Sequence, residues 1–111
     1  MRISLDPTPE NLTILQIGEK TLQFPHAKRD SGASLIRKLA SLKISSQDEL
    51  AVVVGPGNFT AIRTVCLIGN AIHFLTDCRL LAKKKSDLGF HQVSSLAPFY
   101  DRPAAITLPK K

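Results

Sequence analysis

The sequence predicts an α/β domain: a mixed sheet that opens with three antiparallel strands and continues helix, strand, helix, strand. Three observations lead there. Short apolar stretches separated by turn residues occupy the first 25 positions. Two stretches with helical apolar spacing flank a fully apolar run, Leu50 to Val54. That run gives way at once to Gly55-Pro56-Gly57, a sequence that stops a strand and redirects the chain. A meander followed by strand–helix–strand argues for a mixed sheet with helices packed on it.

Each element has its own justification. Arg2 to Leu5 reads as a short strand, and Asp6-Pro7-Thr8-Pro9-Glu10-Asn11 as a turn rich in proline and polar residues. Leu12 to Ile17 alternates as a second strand. Gly18-Glu19 closes a hairpin, with Gly18 supplying positive φ at the first central position. Thr21 to Phe24 pairs back, and Pro25 ends the strand. A polar linker, His26 to Gly32, leads to a helix capped by Asp30 or Ser31 and running to about Leu42. Its apolar positions are Leu35, Ile36, Leu39 and Leu42. Ser46-Gln47-Asp48-Glu49 has capping-box form and predicts a short helical turn. Leu50 to Val54 suits a strand buried on both faces.

The next helix spans about Thr60 to Leu75, with Thr60 as its N-cap and Phe59 as a core anchor. At about 100° per residue, Ala61, Val65, Ile68, Ile72 and Leu75 form one stripe, read as the core stripe. Leu67 and Phe74 fall on the other side, beside Arg63 and Asn70. A helix apolar on two faces is either sandwiched or carries an interface. The second cover would be the helix at 31–42 or another chain. Arg79 to Ala82 is a last strand. Ser86 to Tyr100 reads as a short helix or an irregular excursion. The expected division is one lobe, 1–102, and a loose basic tail, 103–111.

Composition narrows the function classes. A chain of 111 residues fits one domain. With no Trp and one Tyr, its core must be mainly aliphatic. Net charge is +6, part of it in Lys83-Lys84-Lys85 and Lys110-Lys111. No aromatics interleave with the basic residues, so a dedicated RNA-binding module is not indicated. Contact of Lys83, Lys84 and Lys85 with nucleic acid stays open. Cys66 and Cys78 lie about 18 Å apart along a helix, too far for a disulfide. No Cys/His cluster suggests a metal, and His26, His73 and His91 read as surface or packing residues. Residues 1–20 carry no long apolar run, so neither a leader nor a membrane span is expected. Reduced cysteines fit a cytoplasmic protein. No nucleophile–base pair stands out, so an independent hydrolase is not indicated and no cofactor is expected.

The stretch after the buried run carries the most information. Gly55-Pro56-Gly57 before a helix could hold an anion. But GxxxxGK[ST] is absent, Thr60 stands where a third dinucleotide-loop glycine belongs, and Pro56 has no amide to donate. A structural strand-to-helix turn is the better reading. Gly55-Pro56-Gly57-Asn58-Phe59-Thr60, continuing Ala-Ile-Arg, closely resembles the GPGSFTGLR signature of the TsaB (YeaZ) family. The upstream stretch ending in "DELAVVVGPG" and the opening "RISLDPTPENLTILQI" resemble that family's preceding elements, and the resemblance covers roughly 1–82. Asn58 replaces the usual Ser, Ala61 the usual Gly, and Lys83-Lys84-Lys85 a Val-Ser-Ser stretch.

The resemblance implies a single actin-like lobe (the ASKHA, ribonuclease H-like class) where family members have two. It implies a scaffold that pairs with a TsaD-type protein in making threonylcarbamoyladenosine in tRNA. A TsaE-type ATPase would join the pair, and tRNA would be met through the complex. A homodimer through the same face is the implied state without a partner. In the family that contact is made by helices of this lobe, which agrees with the second apolar face at Arg63, Leu67, Asn70 and Phe74. Alternatives are a minimal actin-like nucleotide-binding protein and a basic RNA-binding module built on the same fold. Against the first, two of the four residues in Asp6-Pro7-Thr8-Pro9 lack an amide hydrogen.

Overall fold

A computed structural model describes residues 1–27 and 31–99. Along the chain run β1 (Arg2–Asp6), β2 (Leu12–Ile17), β3 (Lys20–Pro25), α1 (Ser31–Ser41), β4 (Glu49–Val53), α2 (Phe59–Thr76), β5 (Arg79–Lys83) and β6 (His91–Gln92). The strands form one mixed sheet in the order β3-β2-β1-β4-β5-β6. β1, β2 and β3 pair antiparallel, β1, β4 and β5 pair parallel, and β6 returns antiparallel along β5. The predicted mixed sheet and element order are therefore present. The tail 103–111 lies outside the described residues.

Strand register decides which side chains meet the helices. Ile3, Leu50 and Leu80 lie abreast, as do Leu5, Val52 and Ala82. Together with Leu15 they pack against Leu35 and Leu39 of α1 and Ile62, Val65 and Cys66 of α2. Both helices thus cover the same face. Burying each of these aliphatic side chains contributes about 1.5–3 kcal/mol before entropy is counted. On the other face Ala51, Val53 and Leu81 are also buried, which explains why β4 is apolar at consecutive positions. Arg2 and Lys83 reach from that face to the Phe90 ring, at 5.8 and 5.5 Å.

Local chemistry sets the turns. Gly18 has φ of +58° in the two-residue β2–β3 loop, as that hairpin requires. Pro25 does not precede the strand end but occupies its last position, opposite Leu12. The stretch before β4 is not the predicted capping box. Asp48 closes a turn by accepting from the Ser45 amide at 2.8 Å and the Ser45 hydroxyl at 3.3 Å, while Glu49 is already strand. The excursion after β5 contains β6 rather than a helix. Its continuation, residues 93–99, is tied down as a strap: the Val93 amide donates to Leu80 O and the Phe99 amide to Val54 O.

α2 differs from expectation in three ways. Asn58, not Thr60, is the N-cap: it has extended backbone and its side chain accepts from the Ala61 amide at 2.9 Å. Asn caps as well as Ser because either oxygen satisfies an orphan helix amide. Phe59, expected in the core, opens the helix half exposed. The buried stripe is Ile62, Val65, Cys66 and Gly69. Of the predicted stripe Val65 belongs to it, Ile68 and Ile72 pack against the core partly buried, and Leu75 is 77% exposed. Gly69 lies against the strap: a Cβ there would stand 2.5 Å from Leu96 Cδ1 and at ordinary contact, 3.6–3.7 Å, from Val52 and Leu50. α2 is also long and apolar enough, by composition, to cross a membrane (mean hydropathy 1.3 over 18 residues). In this fold it serves as the central core helix.

Candidate functional site

The Gly55–Gly57 turn is filled by its own chain. Gly55 has φ of +131°, and a Cβ there would stand 2.2 Å from Phe99 O. A Cβ on Gly57 would stand 2.8 Å from the Thr8 Cα. The loops after β1 and β4 therefore touch, at the place where the strand order reverses and open α/β sheets commonly leave a crevice for ligands. In the β1–β2 turn the Thr8 amide and hydroxyl both donate to Asp6 Oδ1, at 3.0 and 2.5 Å. Asp6 is the turn-former expected of an Asx motif. The glycines permit two close backbone approaches, and Asn58 turns the exit into a helix.

α2 presents two apolar flanks. On the strap side stand Leu67 (64% exposed) and Phe74 (87% exposed), next to Asn70 and the 94–98 segment. They do not cover α1. The Asn70 amide group is already engaged with the strap: Nδ2 donates to Leu96 O at 3.0 Å and Oδ1 accepts from the Leu96 amide at 2.6 Å. Arg63 lies over the Phe59 ring at 5.7 Å. Of the four residues predicted for a partner, Leu67 and Phe74 are thus exposed, Arg63 is stacked and Asn70 is a clamp.

The other flank faces α1. Ile68, Ala71, Ile72 and Leu75 of α2 and Ile36, Leu39 and Ile44 line an open apolar groove of about 360 Å³. Sequence reasoning missed it as a surface because it assigned Ile68, Ile72 and Leu75 to the core. The exposed Ile36, on α1 in register with that stripe, was the available signal.

The Lys83–Lys85 turn is well ordered by hydrogen bonds. The Lys84 amide donates to Asp87 Oδ2 and the Asp87 amide to Lys84 O, both at 3.0 Å. Lys83 Nζ donates to Asp87 O at 3.2 Å, and the Lys85 amide to Gly55 O at 2.8 Å. Aromatic rings do adjoin these lysines: Lys84 Nζ is 4.6 Å from the Phe99 centroid, and Phe90 sits near Lys83. The linear sequence concealed this because the chain must fold back through β6 first.

Elsewhere, a cleft of about 270 Å³ between the starts of both helices is lined by His26 and several threonines. His26 Nε2 bonds Thr13 Oγ1 at 2.9 Å, while its buried Nδ1 has no partner among the described residues. His73 donates from Nδ1 to Cys78 O at 2.6 Å. Burial pushes the Cys66 thiol up to about 11, so at neutral pH it is an inert packing group. Both cysteines are free, and no metal-binding cluster exists among the described residues.

Fold and surface together define a class: a small α/β domain whose glycine turn is filled by its own chain and whose exposed chemistry is apolar helix flanks and a basic turn. Comparison with solved structures gives the particular likeness. The chain is similar to YeaZ from Pseudomonas aeruginosa, with a TM-score of 0.52 and 21% identity, covering 75% of this chain and 43% of that one. A second structure is described as an uncharacterized protein with similarity to peptidase YEAZ from Pseudomonas aeruginosa. It gives a TM-score of 0.51 at 21% identity, covering 75% of this chain and 42% of that one. The resemblance read in Gly55 to Thr60 thus has its counterpart in the fold. The chain spans less than half the length of either neighbour. No protein-family model and no curated protein matches the sequence.

Proposed function

We propose that this chain is a non-catalytic interaction subunit, a single actin-like lobe that pairs with a TsaD-type protein in threonylcarbamoyladenosine modification of tRNA. The observation that carries the reading is the open apolar groove between α1 and α2, on a fold similar to YeaZ. An unpaired groove of this kind suits an apolar helix of a partner. We place the partner there, with Ile36 and Leu75 at its rim; the strap flank with Leu67 and Phe74 is the competing surface. A nucleotide role is less well supported, since the Thr8 amide is taken by Asp6 and Pro7 and Pro9 donate nothing. A TsaE-type ATPase and tRNA enter through the complex. The test is light scattering after size exclusion, on the protein alone and mixed with a TsaD-type protein. A one-to-one complex is the expected result. A homodimer unchanged by that protein would transfer the groove to a second copy and remove the partner from the account.

A further inference from the structure

We infer that the turn after β5 is a binding surface for single-stranded nucleic acid, formed by Lys83, Lys84 and Lys85 with Arg2, Phe90 and Phe99. The inference goes beyond the scaffold role and does not depend on it.

A lysine run is ordinarily a solvated one, and three features set this turn apart. It is pre-ordered: Asp87 closes it from both ends, and the Lys85 amide ties it to Gly55. Less freedom is then lost when an extended polyanion binds. Its acid is also consumed. Asp87 Oδ2 accepts the Lys84 amide. Among the described residues, the ion pairs join the Met1 amine to Asp48, and Arg2 and Arg79 to Glu49, with none at Lys83, Lys84 or Lys85. Finally, rings and cations are interleaved in space. Phe90 adjoins Lys83 and Arg2, and Phe99 adjoins Lys84, all within 6 Å. Both rings keep part of their surface exposed. Cations that neutralise phosphates beside rings that stack on bases are the two components of sequence-tolerant single-strand binding.

The lysine turn lies at the carboxyl end of β5, the edge from which α/β sheets commonly present binding loops; Arg2, first in β1 and paired with Glu49 at the start of β4, adjoins it through Phe90. An anionic membrane is the less favoured polyanion. Leu88 is a lone fully exposed apolar side chain there, and the rings rest against the protein rather than project as a membrane wedge would.

The test is fluorescence anisotropy of the full chain with a labelled, mixed-sequence single-stranded RNA of about 20 nucleotides. With about three phosphates neutralised, affinity should fall roughly 20-fold between roughly 50 and 200 mM salt. Replacing Lys83, Lys84 and Lys85 by Ala should weaken binding at least about tenfold and flatten the salt dependence. Replacing Lys20, Lys38 and Lys43, which removes the same charge from other faces, should leave affinity within about twofold. Phe90→Leu should weaken binding about fivefold. Lys84→Glu with Lys85→Glu, both at exposed positions, gives the same loss if the alanine triple melts early. Three results overturn the inference: equal losses in the two lysine triples, no binding at the lowest salt, or capture by phosphatidylserine vesicles, sensitive to Leu88→Asp, without RNA binding.

Discussion

The two flanks of α2 start from similar material and end differently. Toward the strap, Leu67 and Phe74 stand apart, because between them Asn70 has drawn the chain in and bonded its backbone at Leu96. Toward α1, Ile68, Ile72 and Leu75 line a continuous groove with Ile36 and Ile44 and meet no further element among the described residues. A polar side chain has closed one flank with the protein's own backbone. The other flank stays open among the described residues. The contrast separates exposed apolar residues that are scattered, which are ordinary, from those that form a patch, which are not.

Predictions follow from separating the flanks. The largest effect is expected from Gly55→Ala. It places a Cβ against Phe99 O at a backbone angle that side chains rarely adopt, so the strap end is expelled at a cost of about 3 kcal/mol or more. Denaturant unfolding measures it. Gly69→Ala is the useful contrast. Its Cβ would crowd the Leu96 Cδ1 tip at 2.5 Å, with Val52 and Leu50 at ordinary contact; the helix-propensity gain of about 1 kcal/mol offsets part of that crowding, so the loss is smaller than at Gly55.

Ile36→Asp with Leu75→Asp should leave the fold within about 0.5 kcal/mol, since both side chains are more than half exposed. It should weaken partner binding about 100-fold, or about 2.7 kcal/mol. Leu67→Asp with Phe74→Asp should be equally silent in stability and nearly silent in binding. The reverse pattern, read by calorimetry, would move the interface to the strap flank. Asn70→Ala leaves the Leu96 amide and carbonyl without their partner and should cost about 1–3 kcal/mol. Faster hydrogen exchange at Leu96 would show that the strap, rather than the core, has loosened.

The smallest effect belongs to a region remote from both flanks. The Arg2 guanidinium, helped by Arg79, holds the Glu49 carboxyl below its usual value of 4.5. The Ser45 amide, with the chain's amino terminus, does the same for Asp48. A lowered carboxyl contributes stability above its unfolded value and loses it as pH falls through the folded one. Stability should therefore begin to decline below about pH 4.5, and Glu49→Gln should make that decline shallower while moving neither flank assay at neutral pH. These are exposed pairs, so the change is small.

What the sequence made legible was the part governed by short-range rules. Gly18 fixed the hairpin, and the apolar run fixed β4 as the strand buried on both faces. Gly55 to Thr60 supplied both the turn and the likeness to YeaZ. What it concealed depended on distant packing. The buried side of α2 centres on Ile62, Val65, Cys66 and Gly69, so Leu75 left the predicted core and Ile62 and Cys66 entered it. Thr60 lost the cap to Asn58, a rival two residues earlier with equal capping chemistry. Asn70 looked like a surface residue because its partner, Leu96, is 26 positions away. Phe90 and Phe99 join the lysines only after β6 folds back.

The central claim, that the α1/α2 groove is where a TsaD-type protein binds, is tested most directly by titrating that protein into the wild type and into Ile36→Asp/Leu75→Asp in the calorimeter. One-to-one binding by the wild type, weakened about 100-fold in the variant, is the predicted result. Binding of equal strength by both proteins, or by neither, would contradict it.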